Sequence, residues 1–219
     1  MNRCDGCELS HLGNKYRVCI PLPSHKIRGC VISRDATSEF LDPLKKYRQL
    51  PENQKGNLLL NAPPLWLSKK IKVIMNFNDN SPDMKKLQDF FNSECYWTHL
   101  HKCPTKPGKK QDLDQDDTSG MKEDFPPFHY TTAKLCANRW FESEFKEYGL
   151  KDKIIVTLGG DVKKSFKQSS NNHGLENSNK IISLPHPSGR CRSWNPNADH
   201  TKIIKEITRL LDLLDADVE

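Results

Sequence analysis

Ile181-Ile-Ser-Leu-Pro-His-Pro-Ser-Gly-Arg-Cys-Arg-Ser-Trp-Asn195 is the stretch on which the reading of this chain turns. Its apolar run, Ile181 to Leu184, reads as a short buried strand. Pro185 has no N–H to donate to a ladder and stops it. His186-Pro187-Ser188-Gly189 then forms a rigid turn just past the strand's carboxyl end, which in open α/β sheets is where ligands bind. The turn offers an imidazole, a hydroxyl and backbone N–H groups, with Arg190 and Arg192 beside them. Such a set suits a phosphate together with an anionic leaving group. The same residues would serve an ordinary strand-to-loop junction, and the choice depends on what the rest of the chain brings to that edge.

Working outward, three more short strands can be read. Gly29-Cys-Val-Ile-Ser33 is an apolar run behind a turn signal, Tyr96-Trp-Thr-His-Leu100 has β-type composition, and Lys153-Ile-Ile-Val-Thr-Leu158 is the strongest strand of all. Helical patterns separate them. Between Leu65 and Phe77, apolar residues at 67, 71, 74 and 75 favour a helix over a strand. Ser81-Pro82 marks a helix start, and the helix should bury Met84, Leu87, Phe90 and Phe91 before ending near Phe91. Thr131 to Tyr148 is a third helix, with Leu135, Cys136, Trp140, Phe141 and Phe145 available for burial and Gly149 closing it. Gly159-Gly160 opens a short helix to about Phe166, and residues 168–180 read as a Ser- and Asn-rich loop. His200 to Leu214 is a last amphipathic helix carrying Ile203, Ile204, Ile207, Leu210, Leu211 and Leu214. Strands and helices in alternation predict one α/β domain over residues 1–219: a three-layer α/β/α sandwich with a central, mainly parallel four-stranded sheet. Residues 41–64 are loop-rich. Residues 106–128 form an insertion whose segment Gln111-Asp-Leu-Asp-Gln-Asp-Asp117 is acidic, solvated and mobile, and should point away from any polyanion.

Composition narrows the class. Hydrophobic residues make up 35% and charged residues 28%, with a mean hydropathy of -0.75, as in soluble proteins with long polar loops. No apolar run approaches the roughly 20 residues of a membrane span. Met1-Asn-Arg-Cys-Asp-Gly-Cys7 has no apolar segment of the kind a signal peptide carries, so an intracellular protein is expected. A net charge of +6 suits nucleic acid without requiring it. Eight cysteines in a reducing cytosol argue against disulfides. Cys4-x-x-Cys7 then reads either as half of a metal or cluster site or as two free thiols.

Four stretches now stand in order: a strand leading to Asp35, a strand reaching His99, the Ile-Ile-Val-Thr-Leu-Gly-Gly strand, and the strand leading to His186-Pro-Ser188. Each sets polar residues at a carboxyl end, where they can converge on one crevice. This order resembles the uracil-DNA glycosylase superfamily, and most closely its family-four-like iron–sulfur branch of archaea and bacteria. The resemblance runs from Cys4 to the last helix. Its most specific marks are His186-Pro-Ser188, Thr157-Leu-Gly-Gly160 and the cysteine arrangement, with Ser33-Arg-Asp-Ala-Thr37 a looser match. It implies that Cys4, Cys7, Cys103 (in Lys102-Cys-Pro104) and Cys136 hold a [4Fe–4S] cluster, four thiolates being the usual set. Zinc would suit the same cysteines. The gap that contains the acidic insertion makes Cys95 an alternative ligand.

The implied chemistry is hydrolysis of a base from deoxyribose. That reaction builds oxocarbenium character on the sugar and negative charge on the base, and needs an anion near the first and a donor near the second. By resemblance Asp35 supplies the anion, although the iron–sulfur branch sets its acidic residue one position earlier, where this chain has Arg34. As a residue after a strand, Asp35 would also suit a helix N-cap. His186 supplies the donor to the base oxygen. Ser188 suits a phosphate, Arg192 likewise, and Arg190 either fills the hole left by the flipped base or contacts a phosphate. His99 stands where relatives that prefer uracil carry an Asn. An imidazole pairs with one edge atom and cannot make the bidentate amide contact. Phe40, Tyr47 and Trp66 are candidates for the stacking aromatic, with Phe40 first. The expectation is a monomeric, monofunctional repair glycosylase in the prokaryotic cytoplasm at the nucleoid. It has DNA as partner and no membrane, and it removes a deaminated base, uracil first. The alternatives are hypoxanthine or xanthine as the base, or a glycosylase fold that binds nucleic acid without cleaving.

Overall fold

Cys30, Val31 and Ile32 are each 0% exposed, so this strand is apolar on both sides and can only lie inside a sheet covered on both faces. In the computed structural model it does. The model describes residues 27–37, 67–105, 130–173, 180–187 and 191–216; at 35–37, 103–105, 130–131 and 169–173 the description is of the backbone. Strand β1 (Gly29–Thr37) is followed by helices α1 (Leu67–Met75) and α2 (Pro82–Asp89), strand β2 (Cys95–Thr105) and helix α3 (Tyr130–Glu147). Strand β3 (Ile154–Leu158), helix α4 (Gly160–His173), strand β4 (Ile181–Leu184) and helix α5 (Thr201–Ala216) complete the order. The sheet runs β2-β1-β3-β4, and every neighbouring pair is parallel.

Two cores lie on the two faces. Val31, Trp97, Val156 and Ile182 turn to one side, where they meet Leu67 and Ile71 of α1, Met84 and Leu87 of α2, and Ile203, Ile207 and Leu210 of α5. Cys30, Ile32, Tyr96 and Ile155 turn to the other, against Ala133, Ala137, Phe141 and Phe145 of α3 and Val162 and Phe166 of α4. This alternation is the period of two that a strand imposes. Two details fasten the layers. Gly29 has no side chain because a Cβ there would sit 2.5 Å from the ring of Phe90. The edge strand β4 has its Ser183 N–H taken by Glu206 of α5 at 2.9 Å, which removes one open donor from the edge.

The three-layer α/β/α sandwich with a four-stranded parallel sheet is therefore as the alternating pattern predicts. Element ends differ from the sequence reading. β1 continues to Thr37 and β2 to Thr105, well past their apolar runs, because the two polar extensions pair with each other. α2 stops at Asp89, and a single π turn, Phe90–Glu94, leads into β2. α4 reaches His173, into residues expected to be loop. Leu135, expected to be buried, is 58% exposed, since the inward stripe of α3 runs through Ala133, Ala137, Trp140, Phe141 and Phe145. The acidic insertion, 106–128, lies outside the described residues. No helix among them is long and apolar enough to cross a membrane.

Candidate active site

The chain leaves β1 through α1 and α2 on one face and leaves β3 through α4 on the other. β1 and β3 are neighbours, so a crevice opens between their carboxyl ends, the position where open α/β sheets bind ligands. The last β1–β3 pair is Ile32 with Thr157. Beyond it β1 runs on, paired with β2 alone, through Ser33↔His99 and Asp35↔His101. Asp35 thus stands on the projecting end of the central strand, beside the crevice. Ser33 and His99 are 5% and 2% exposed, and the Ser33 hydroxyl shares a hydrogen bond with His99 Nδ1. His101, the cross-strand neighbour of Asp35, is 2% exposed.

On the other side of the crevice, β3 ends in Gly159, whose φ of +106° strains any residue with a side chain. Its N–H donates to Leu184 O at 2.8 Å and its carbonyl accepts from Lys163 N–H at 3.0 Å, so one residue both ties off β4 and starts α4. A Cβ on Gly159 would lie 3.5 Å from the Cβ of His186. His186 is therefore set directly against this turn. Its carbonyl accepts a 3.1 Å bond from the indole N–H of Trp194, which is buried at 7% exposure. The His186-Pro187 turn is pinned to the core through that ring. Arg192, two residues before Trp194, is exposed, and Lys70 Nζ of α1 lies 5.8 Å over the same indole. Lys70 thus lies over the ring that holds the His186 carbonyl.

The cysteines sit elsewhere on β2. Backbone N–H of Lys102 donates to Cys136 Sγ at 3.4 Å, which seats the α3 thiol beside the peptide leading into Cys103. An N–H···S bond favours a sulfur that carries negative charge. The same stretch of β2 is clamped to α3 by a buried ion pair, Lys102 Nζ to Glu144 at 2.8 Å, with side chains 6% and 2% exposed. Thr98 Oγ1 donates to the same carboxylate at 3.0 Å and accepts from Lys102 Nζ. Cys95 begins β2, at the opposite end of the sheet, and burial raises its thiol well above the ordinary range. Cys30 is raised too, first by burial and then by Glu144. Both are thiols of the core, poorly suited to ligate as thiolates.

Of the residues singled out in the sequence, the structure brings His99, His186 and the β1 position of Asp35 to the carboxyl edge of the sheet, and Arg192 is exposed two residues before Trp194. Cys136 is brought to the β2 position of Cys103. Phe40, Ser188, Arg190, Cys4 and Cys7 lie outside the described residues. Among the described residues no three His, Cys, Asp or Glu side chains are grouped to hold a metal ion. The sequence reading missed Ser33, His101, Lys70 and the Lys102–Glu144 pair. A signal for His101 was present: His99 and His101 alternate along one strand and so share a face. Ser33, Lys70 and Glu144 depend on strand order and helix docking, which local spacing does not encode.

The model of the Uracil DNA glycosylase superfamily matches residues 49–208, which include β2, β3, β4, His99, Cys136 and His186. Asp35 and the Cys4/Cys7 pair precede the matched span. No curated protein and no solved structure matches the chain. The chain belongs to the uracil DNA glycosylase superfamily, and membership supports a DNA glycosylase with DNA as its partner.

Proposed function

We propose that this protein is a monofunctional DNA glycosylase that flips a deaminated base, uracil first, and hydrolyses its glycosidic bond to leave an abasic site. The observation that supports the reading is the Gly159 turn packed against His186 on the same carboxyl edge of the sheet from which β1 projects with Asp35. Asp35 supplies the anion that stabilises the oxocarbenium sugar and orients water. His186 donates to the base oxygen that gains charge as the bond breaks. The rigidity of its turn, held by Trp194 and Gly159, keeps that donor in place before charge develops, which is what electrostatic catalysis requires. His99 reads the base edge, and Phe40 stacks on the base. Ser188, Arg190 and Arg192 engage the backbone around the flipped nucleotide.

Within the superfamily we place the chain in the iron–sulfur branch. Cys4, Cys7, Cys103 and Cys136 would hold the [4Fe–4S] cluster, with zinc the second choice for the same thiols. What supports this set is the half-buried Cys136 thiol, which accepts an N–H bond from Lys102, the residue before Cys103. A cluster held by these four thiols would join the amino-terminal segment to β2 and α3. The protein acts as a monomer on damaged DNA in the prokaryotic cytoplasm.

Oligonucleotide duplexes carrying uracil, hypoxanthine, xanthine or a thymine mismatch test the activity directly. The expected result is alkali-labile strand breaks at uracil. Tight DNA binding with no breaks at any of the four would favour a glycosylase fold that binds without cleaving.

A further inference from the structure

Lys70 is a cation that the proposed reaction does not use. It stands in α1, whose sequence Leu67-Ser-Lys-Lys-Ile-Lys-Val-Ile-Met75 holds three lysines and no acidic residue. The three are not equivalent. Lys69 is exposed, and Lys72 is taken by Asp79 of the following turn at 2.5 Å. Lys70 is half-buried, and its Nζ lies 5.8 Å over the centroid of the Trp194 ring. Among the described residues no carboxylate pairs with it. The two kinds of partner act differently on the charge. A carboxylate cancels that of an ammonium. An aromatic face attracts the ammonium through its quadrupole, within about 6 Å, and carries no net charge of its own. Near that limit the ring orients Lys70 and leaves it positive.

The ring beneath it is itself fixed. Trp194 is 7% exposed, and its N–H donates to the His186 carbonyl at 3.1 Å. One side chain therefore connects an uncompensated cation of α1 to the turn that carries His186. A nucleotide whose base is engaged at that turn brings the phosphates on either side of it to the same neighbourhood. We infer that Lys70 is a DNA-binding residue: seated on Trp194, its ammonium contacts a backbone phosphate of the strand engaged at His186. The inference rests on the glycosylase reading, which sets DNA at the His186 turn. It adds α1 to a footprint that otherwise consists of Ser188, Arg190 and Arg192. A phosphate contact fixes the register of the strand and carries no sequence information, so Lys70 holds the DNA without choosing the base.

Counterion release supplies the readout. Each phosphate neutralised on duplex DNA contributes about -0.9 to the slope of log affinity against log salt. Affinity for a duplex carrying non-cleavable 2′-fluoro-deoxyuridine is measured from low to moderate salt, with the full chain as wild type, Lys70→Gln, Lys70→Arg and Lys72→Gln. Lys70→Gln should bind severalfold more weakly at low salt, with a slope shallower by about 0.9. Lys70→Arg should keep the wild-type slope, because a guanidinium stays charged and stacks on aromatic faces. Lys72→Gln removes the same charge from the same helix and should leave the slope unchanged, since Asp79 already occupies that lysine. A wild-type slope in folded Lys70→Gln protein overturns the inference. So does an equal loss in Lys72→Gln protein, which would mark a general effect of net charge. Both outcomes leave the glycosylase reading standing, because base excision decides that separately. A wild type that binds no DNA overturns the reading and this inference together.

Discussion

Cys136 and Cys95 show how much a residue's surroundings decide. Both are thiols in a chain with eight, and spacing makes either a candidate ligand. Cys136 is half-buried and accepts an N–H bond from Lys102, whereas Cys95 lies in the core at the far end of β2, where burial holds it protonated. On the proposed cluster, replacing Cys136 by Ser should therefore lower the iron content, or zinc if zinc is the occupant, to well below one site per chain. Cys95→Ala should leave the metal content unchanged. Metal analysis of anaerobically purified protein checks both, and metal loss from the Cys95 variant alone would reverse the assignment. The position of His186 just past a strand was legible in the sequence because a strand, a proline and a turn motif stand side by side. The Ser33–His99 contact was not, because its partners lie 66 residues apart.

At the scale of elements, apolar runs marked all four strands, and amphipathic spacing marked the helices. Strand ends were hidden for a definite reason. β1 and β2 continue through Asp35 to Thr37 and through His101 to Thr105, polar residues whose extended form is held by mutual pairing. Those extensions carry Asp35 and His101, and Asp35 is one of the proposed site residues. β2 is fastened to α3 by Lys102, Thr98 and Glu144, buried where water cannot replace a lost partner. Lys102→Met strands the Glu144 carboxylate and should destabilise the fold by about 3–5 kcal/mol. Adding Glu144→Leu should recover most of that loss, because an apolar pair of similar volume needs no charge partner. Denaturant unfolding of the two variants measures the difference. Equal destabilisation in both would mean that packing of the Lys102 stem against Phe141, whose ring lies 4.9 Å from Nζ, dominates over the charge.

For the molecule as a whole, the functional reading depends on the strand order β2-β1-β3-β4. That order sets the end of β1, which carries Asp35, next to the end of β3 and on the same carboxyl edge as the turn with His186, although their numbers differ by 151. Sequence patterns supplied the elements and the motifs. The order of strands is a non-local property that local patterns did not give, and the match over residues 49–208 upholds the resemblance at the level of the superfamily. The net charge of +6 suits a polyanionic partner, and Lys70 over the Trp194 ring and the exposed Arg192 are two of the cations it could meet. The central claim is that this edge stabilises charge on a departing base. Single-turnover excision of uracil from duplex DNA at saturating enzyme tests it most directly, comparing wild type with His186→Ala and Asp35→Asn. The account predicts that His186→Ala slows excision roughly a hundredfold or more, that Asp35→Asn costs at least as much, and that DNA affinity is little changed in either. Excision at the wild-type rate by His186→Ala would contradict it.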